Sequence, residues 1–223
     1  VKEESDYRLL LGRSLGALCV CAVLVALCYF FVDRPFAWFV HEHRTKVDYA
    51  LIWLTEVPPL VQAWAVAVLA AVMVRRAWGP LGRGPTMLLA GCVALILADQ
   101  FRESLSYVFG RYWPDTWINN NPSYITDGAY GFHPFHGGTA YGSFPSGHMA
   151  RTTAFAAAAW IAYPGWRWAC AAVTLAEAAG LLGMNYHFVG DVVAGGFLGA
   201  LVGVFTAKAC GLGNDALPAS MAP

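Results

Sequence analysis

Apolar residues run for the length of a membrane helix at six places along the chain: 9–32, 60–76, 87–110, 147–163, 166–184 and 191–209. A helix needs about 20 apolar residues to cross a bilayer's hydrocarbon core. Short polar or Gly/Pro-rich turns separate these stretches, except at residues 33–59, which mix charge with aromatics, and at 111–146, a long segment rich in Gly, Pro, Asn and aromatics. The pattern predicts an all-α, polytopic membrane protein. Its single domain, 1–223, is expected to be a six-helix transmembrane bundle, with a long extracytoplasmic loop between helices 3 and 4.

The first apolar stretch is too long for a signal-peptide core, and no small-residue cleavage site follows it, so it is read as a retained span. Residues 33–58 mix charge with aromatics, including Arg34, Trp38, Arg44, Lys46 and Asp48. Within them, 36–54 is expected as a helix lying in the interface, where tryptophan and tyrosine are at home. His41, Glu42 and His43 read as a solvated charged loop rather than metal ligands. The third stretch stops being apolar in its second half, at Asp99, Gln100, Arg102 and Glu103. Ionisable groups at membrane depth face a polar cavity or one another, so these line the floor of a site or pair among themselves. Glu177 is a lone acid in the fifth stretch, and Gly195, Gly196 and Gly199 in the sixth suit close helix packing. A loop as long as 111–146 is functional or disordered, and its aromatics argue against disorder. His133 and His136 within it read as structural or substrate-gating. Residues 1–8 and the end of the chain read as polar tails.

Composition sharpens this picture. The chain is 58% hydrophobic and 13% charged, with zero net charge, which leaves no basic surface for a nucleic acid. The six cysteines at 19, 21, 28, 92, 170 and 210 fall in or at the ends of apolar runs. There they act as small hydrophobes, with no zinc or disulfide spacing. Six spans put both termini on one side. With the termini in the cytosol, lysines and arginines lean towards the inner face, the more so once Arg102, Arg111 and Arg151 are set aside as site residues.

Two short stretches carry chemistry. Ser143-Phe144-Pro145-Ser146-Gly147-His148 reads as a turn opening a helix. Ser146 can cap it, and Gly147 lets the backbone approach a ligand. Free N–H groups at a helix start make an anion site, and His148 stands beside them as a proton carrier. His187-Phe188-Val189-Gly190-Asp191 places a carboxylate one helical turn after a histidine, where it can hold the imidazole in one tautomer. Two histidines, one carboxylate and an anion nest suffice for phosphoryl transfer without a metal.

Pro145-Ser146-Gly147-His148, followed about forty residues later by His187 and Asp191, resembles the second and third motifs of the type 2 phosphatidic acid phosphatase superfamily. The resemblance implies a metal-independent membrane phosphatase acting on a lipid phosphate in the bilayer, with no cofactor. His187 would attack phosphorus and become a phosphohistidine, Asp191 would orient it, and His148 would protonate the leaving oxygen and then activate water. Phosphate binding would fall to Arg111, Ser146 and Gly147. The family's first motif is degenerate here: aligned on Pro114, Ser106 holds the lysine place and Trp113 the arginine place. The third motif lacks its Ser-Arg opening, with Gly180 and Leu181 in those places. Arg151, three residues after His148 and on the same helix face, and Arg102 are the candidate replacements. Sphingomyelin-synthase-like headgroup transferases share the His, His, Asp arrangement, so transfer to an alcohol is the alternative reaction. A non-catalytic membrane scaffold is the third reading. The expected location is a bacterial inner membrane with the site on the periplasmic face. Phosphatidate, phosphatidylglycerol phosphate, polyprenyl diphosphate and lipid A all remain open as substrates, as does the oligomeric state.

Overall fold

The computed structural model describes residues 2–44, 49–117 and 119–213. Lys46 and Asp48 of the charged stretch, and most of the polar C-terminal tail, lie outside the described residues. Long helices dominate, and among the described residues only isolated bridges of extended backbone occur. Helix α1, Lys2–Leu27, passes through a π turn at Cys28–Val32 into α2, Asp33–His43. Then come α3, Tyr49–Ala77, and α4, Arg83–Phe109. The short α5, Tyr124–Asp127, lies in the loop ahead of α6, Gly147–Ala162. Helices α7, Arg167–Gly183, and α8, Val189–Ala209, complete the fold. Among the described residues, four helical stretches are long and apolar enough to cross a membrane: Tyr7–His43, Ala50–Ala77, Arg83–Phe109 and Val189–Ala209. With 16 and 17 residues, α6 and α7 are shorter than those four.

Three expectations need correction. Residues 2–8 are the start of α1 rather than a tail. The first helix does not end at residue 32, because α2 continues it to His43. Pro35 lacks an N–H and its ring clashes with the preceding turn, and the π turn immediately ahead of it is where the helical ladder is rearranged. His41, Glu42 and His43 therefore form an exposed last helical turn rather than a loop, with His43 Nδ1 2.8 Å from the Phe39 carbonyl. No single interfacial helix covers 36–54 either. The backbone leaves α2 at Arg44, and the second long helix is under way by Tyr49, well before residue 60. It keeps its path through Pro58 and Pro59. Such breaks in the ladder are tolerated where neighbouring helices re-satisfy the freed backbone groups.

Helices α4, α6 and α8 make the centre. Their contact rests on small residues, as in membrane packing generally, where close backbone approach replaces hydrophobic driving force. Gly195, Gly199 and Gly203, spaced one turn apart on α8, face Ser146, Ala150 and Ala154 on α6. A side chain at any of the three glycines would run into a carbonyl of that partner. Ala94, Ala98, Ala150, Ala154 and Val202 close the interior at this level. This contact sets the start of α6 beside the start of α8, and both chemical stretches lie there.

The loop between α4 and α6 is ordered around Arg111. Its backbone bridges to Phe132 and to Gly142, and Trp113 bridges to Ser123. Gly110 has φ +52, and a Cβ there would collide with the His133 carbonyl, so only glycine lets the loop fold back on itself. His133 packs edge-on to Tyr112 at 4.7 Å between centroids, and His136 lies 5.3 Å from the Tyr141 ring. Both histidines sit in an aromatic cluster of the loop.

Candidate functional site

Ser146 caps α6. Its hydroxyl accepts from the Met149 N–H at 3.4 Å, and its own N–H donates to the Asp191 carbonyl at 3.0 Å. Both chemical stretches are thereby tied together through the main chain. The Ser146 side chain is fully buried and turned into the helix start, while Gly147 and His148 face a cavity of about 460 Å³. His187 lines the same cavity from the other side. It is delivered there by the turn after α7, where Asn185 takes a left-handed conformation with φ +58. Asparagine tolerates that region better than most residues. The Asn185 side-chain amide donates to the Ala37 carbonyl of α2, and the Asn185 main-chain carbonyl accepts from the Trp117 indole.

Asp191 stands behind His187 in the first turn of α8, with Oδ2 3.6 Å from His187 Nδ1. That gap is longer than a hydrogen bond, and Nδ1 is buried with no partner among the described residues. Three other donors hold the Asp191 carboxylate. Oδ2 accepts from the Ser143 hydroxyl at 2.6 Å and from the Phe188 N–H at 3.0 Å, and Oδ1 accepts from Arg111 Nη1 at 2.5 Å. The carboxylate is held rigidly, at a helix end whose dipole favours negative charge.

Arg111 does not line the cavity. It is completely buried behind Asp191, and its second branch donates to Asp33 Oδ2 at 2.6 Å and to the Tyr130 hydroxyl at 3.2 Å. Phe188, Phe132, Tyr29 and Tyr130 surround the guanidinium at 4.4–5.4 Å from their ring centres. Burial alone would pull its pKa down, but Asp191 and Asp33 outweigh that and hold it above the usual arginine range. Asp33 also accepts from the Gly190 N–H at 2.9 Å. A carboxylate from the first long helix thus supports the α8 turn that carries Asp191. Sequence reasoning missed Asp33. The available signal was a carboxylate closing an apolar stretch, which at that depth needs a cationic partner.

The two candidate replacement arginines do reach the cavity. Arg102 runs along the approach to α6, donating to the Gly142 carbonyl at 2.6 Å and to Pro145 at 3.3 Å, and pairing with Glu103. Its guanidinium packs against Gly147, where a Cβ would come within 3.1 Å of Nε. Arg151 donates to Gln62 at 2.5 Å and pairs with Asp99 at 3.3 Å, with its Nε buried and unbonded. Asp99, Arg102 and Glu103 therefore line the cavity, and of the four polar residues expected to do so or to pair with one another only Arg102 and Glu103 form a mutual pair among the described residues. Trp113 lies 5.1 Å from the His187 ring, and Trp117 and Tyr186 complete an aromatic wall with Thr55 and Glu56. Glu177 is buried nearby in α7, with Oε1 unbonded. No group of three His, Cys, Asp or Glu that could hold a metal ion occurs among the described residues, and all six cysteines are free.

A family model described as the PAP2 superfamily matches residues 86–211. The match takes in α4, the loop, α6, α7 and α8, and leaves out α1 to α3. A lipid A 1-phosphatase of Rhizobium johnstonii is 36% identical over 95 residues, which are 41% of this chain and 39% of that protein. The chain therefore spans well under half of that relative's length. No solved structure matches.

Proposed function

The chain belongs to the PAP2 superfamily, and from that premise we propose that it is an integral membrane lipid phosphatase working through a phosphohistidine on His187. The observation that carries the reading is that His148 and His187 face one cavity together with Arg102 and Arg151. His187 Nδ1 points towards Asp191, which leaves Nε2 as the nucleophile. Nε2 attacks phosphorus, the P–O bond to the lipid breaks, and His148 gives its proton to the leaving oxygen. Water then attacks phosphorus, His148 takes a proton from it, and the P–N bond breaks to release phosphate. Gly147 and the start of α6, with Arg102 and Arg151, supply donors to the equatorial oxygens. None of these steps calls for a metal.

In this reading α6 and α7 also cross the bilayer, giving six spans with both termini on one side. At about 1.5 Å per residue α6 is about 24 Å long, which suits a helix whose N-terminus opens into the site below the membrane surface. The site then faces the periplasm of a bacterial inner membrane. The name of the Rhizobium relative supports lipid A among the substrates to be tried first. The test is phosphate release by purified protein from lipid A, phosphatidate, phosphatidylglycerol phosphate and polyprenyl diphosphate, with chelator present. Release from one of them, abolished by His187→Ala, is expected. Asp191→Asn should retain the fold and lose on the order of three to four decades in rate, the precedent for an orienting carboxylate. Product formed only when an alcohol acceptor is added would instead identify a headgroup transferase. No turnover of either kind would leave the scaffold reading.

A further inference from the structure

The cavity holds three carboxylates, Glu56, Asp99 and Glu103, against the two guanidiniums of Arg102 and Arg151. Asp99 and Glu103 are each paired with one of those arginines. Glu56 has no hydrogen bond or ion pair among the described residues. It is exposed to the cavity, within the apolar helical stretch Ala50–Ala77. Next to a phosphate dianion a carboxylate is repulsive unless the bound molecule brings it a donor.

Glu56 arrives there by a specific packing arrangement. Helix α3 lies tightly on α7, where a Cβ on Gly180 would come within 3.0 Å of the Leu51 carbonyl and of Thr55 Cγ2. Leu181, beside that glycine, is buried against Met149 and Val192. So the places where the third motif would open with Ser-Arg instead hold a glycine that admits α3 and a leucine that joins the core. One edge of the site has lost a cation, and Thr55 and Glu56 now stand at its wall. Trp113, Trp117 and Tyr186 stand with them. Burial pushes the Tyr186 phenol up, with the Glu56 charge adding to that and Arg44 opposing it. Aromatic faces beside a carboxylate suit a polar group with hydroxyl or ammonium donors.

We propose that Glu56 reads the alcohol portion of the substrate. The site then favours lipid phosphates whose phosphate-bearing unit carries a hydroxyl or ammonium donor beside the phosphoester. Phosphatidate, whose glycerol has both remaining oxygens esterified, offers no such donor. A cavity of about 460 Å³ has room for a unit of that kind as well as the phosphate. This inference rests on the phosphatase reading above and deepens it.

The test compares wild type with Glu56→Gln, an isosteric change on an exposed side chain, in detergent micelles. Phosphate release is measured from phosphatidate, an acylated glucose 1-phosphate and an acylated glucosamine 1-phosphate. Wild-type kcat/KM should be at least about ten-fold higher on a sugar phosphate than on phosphatidate, the scale of one hydrogen bond to a charged group. Glu56→Gln should collapse that ratio by about the same factor, chiefly through KM. A collapse confined to the glucosamine substrate identifies ammonium as the donor, and a collapse on both sugars identifies hydroxyl. A wild-type ratio of one or less, or a variant that scales all three substrates alike, overturns the proposal while leaving the phosphatase reading intact. Wild-type protein that releases phosphate from none of the three, nor from the lipids named above, overturns both.

Discussion

Arg111 grips Asp191 from behind: Nη1 donates to Oδ1 across 2.5 Å, and neither side chain is exposed. The same guanidinium reaches Asp33 with its other branch, so one cation joins the first long helix, the loop and α8. Asp191 can hold an imidazole only if its own position is fixed, and Arg111 and Ser143 do the fixing. Arg111 is expected from the sequence to bind phosphate; here Nη1 and Nη2 donate to Asp191, Asp33 and Tyr130, and the residue is not among those lining the cavity. We therefore read it as a positioning residue.

Replacing Arg111 separates the two roles. Arg111→Met leaves two buried carboxylates without a counterion and should destabilise the protein by about 3–5 kcal/mol. Arg111→Lys keeps charge but cannot fork between Asp33 and Asp191, so it should recover part of the stability and little of kcat. Thermal unfolding in detergent, with kcat and KM measured alongside, checks this. A raised KM at unchanged kcat and unchanged stability would restore the phosphate-binding role.

Asp33 should matter to catalysis although the family match begins only at residue 86. Asp33→Asn keeps an acceptor for the Gly190 N–H and loses the charge facing Arg111, so kcat should fall about ten-fold with little change in KM. Asp33→Ala loses both contacts and should be the more severe in both rate and stability. Wild-type kcat in both variants would show that the contact serves folding alone.

Arg151 lines the cavity with an unbonded Nε, and Gln62 and Asp99 hold its outer branch. Loss of a charged donor to the transferring phosphate should lower kcat/KM by roughly two to three decades in Arg151→Met, the scale of an oxyanion-site donor. Partial recovery is expected in Arg151→Lys. Steady-state kinetics on the true substrate decide it, and a methionine variant with the wild-type specificity constant would assign Arg151 to the Gln62–Asp99 contact only. The same pair of variants at Arg102 should follow the same order.

The α6–α8 contact makes a sharper steric prediction. Gly199→Val puts a side chain against the Ala150 carbonyl, and overpacking of this kind costs about 1–3 kcal/mol or more. Since the contact sets His148 opposite His187, activity should fall with stability. Gly196→Ala is the control, because its nearest neighbour is the flexible Met149 side chain at 3.5 Å. Equal melting temperatures for the two variants would refute the close-approach account.

What the sequence determined by itself was periodic or contiguous. Long apolar runs predict membrane helices whatever surrounds them, and the ends of α4, α6, α7 and α8 fall within a few residues of the expected limits because Gly, Pro and polar turns punctuate them. The two chemical stretches were equally legible, since capping and one-turn spacing are local properties of Ser146 and of the His187–Asp191 pair. Tertiary structure decided which polar groups meet, because a guanidinium's partner depends on packing across distant helices. Arg111 lies in a segment that reads like a phosphate-binding motif, yet the bundle brings Asp33 to it from seventy-eight positions away, and burial then demands that pairing. The continuation of α1 into α2 was hidden for a related reason: Pro35 and the flanking charges signal a break, and a π turn with a buried carboxylate removes it. Nothing in the sequence singles out Glu56; its place at the site follows from Gly180 admitting α3, because a missing side chain shows in a sequence and the neighbour that fills its space does not.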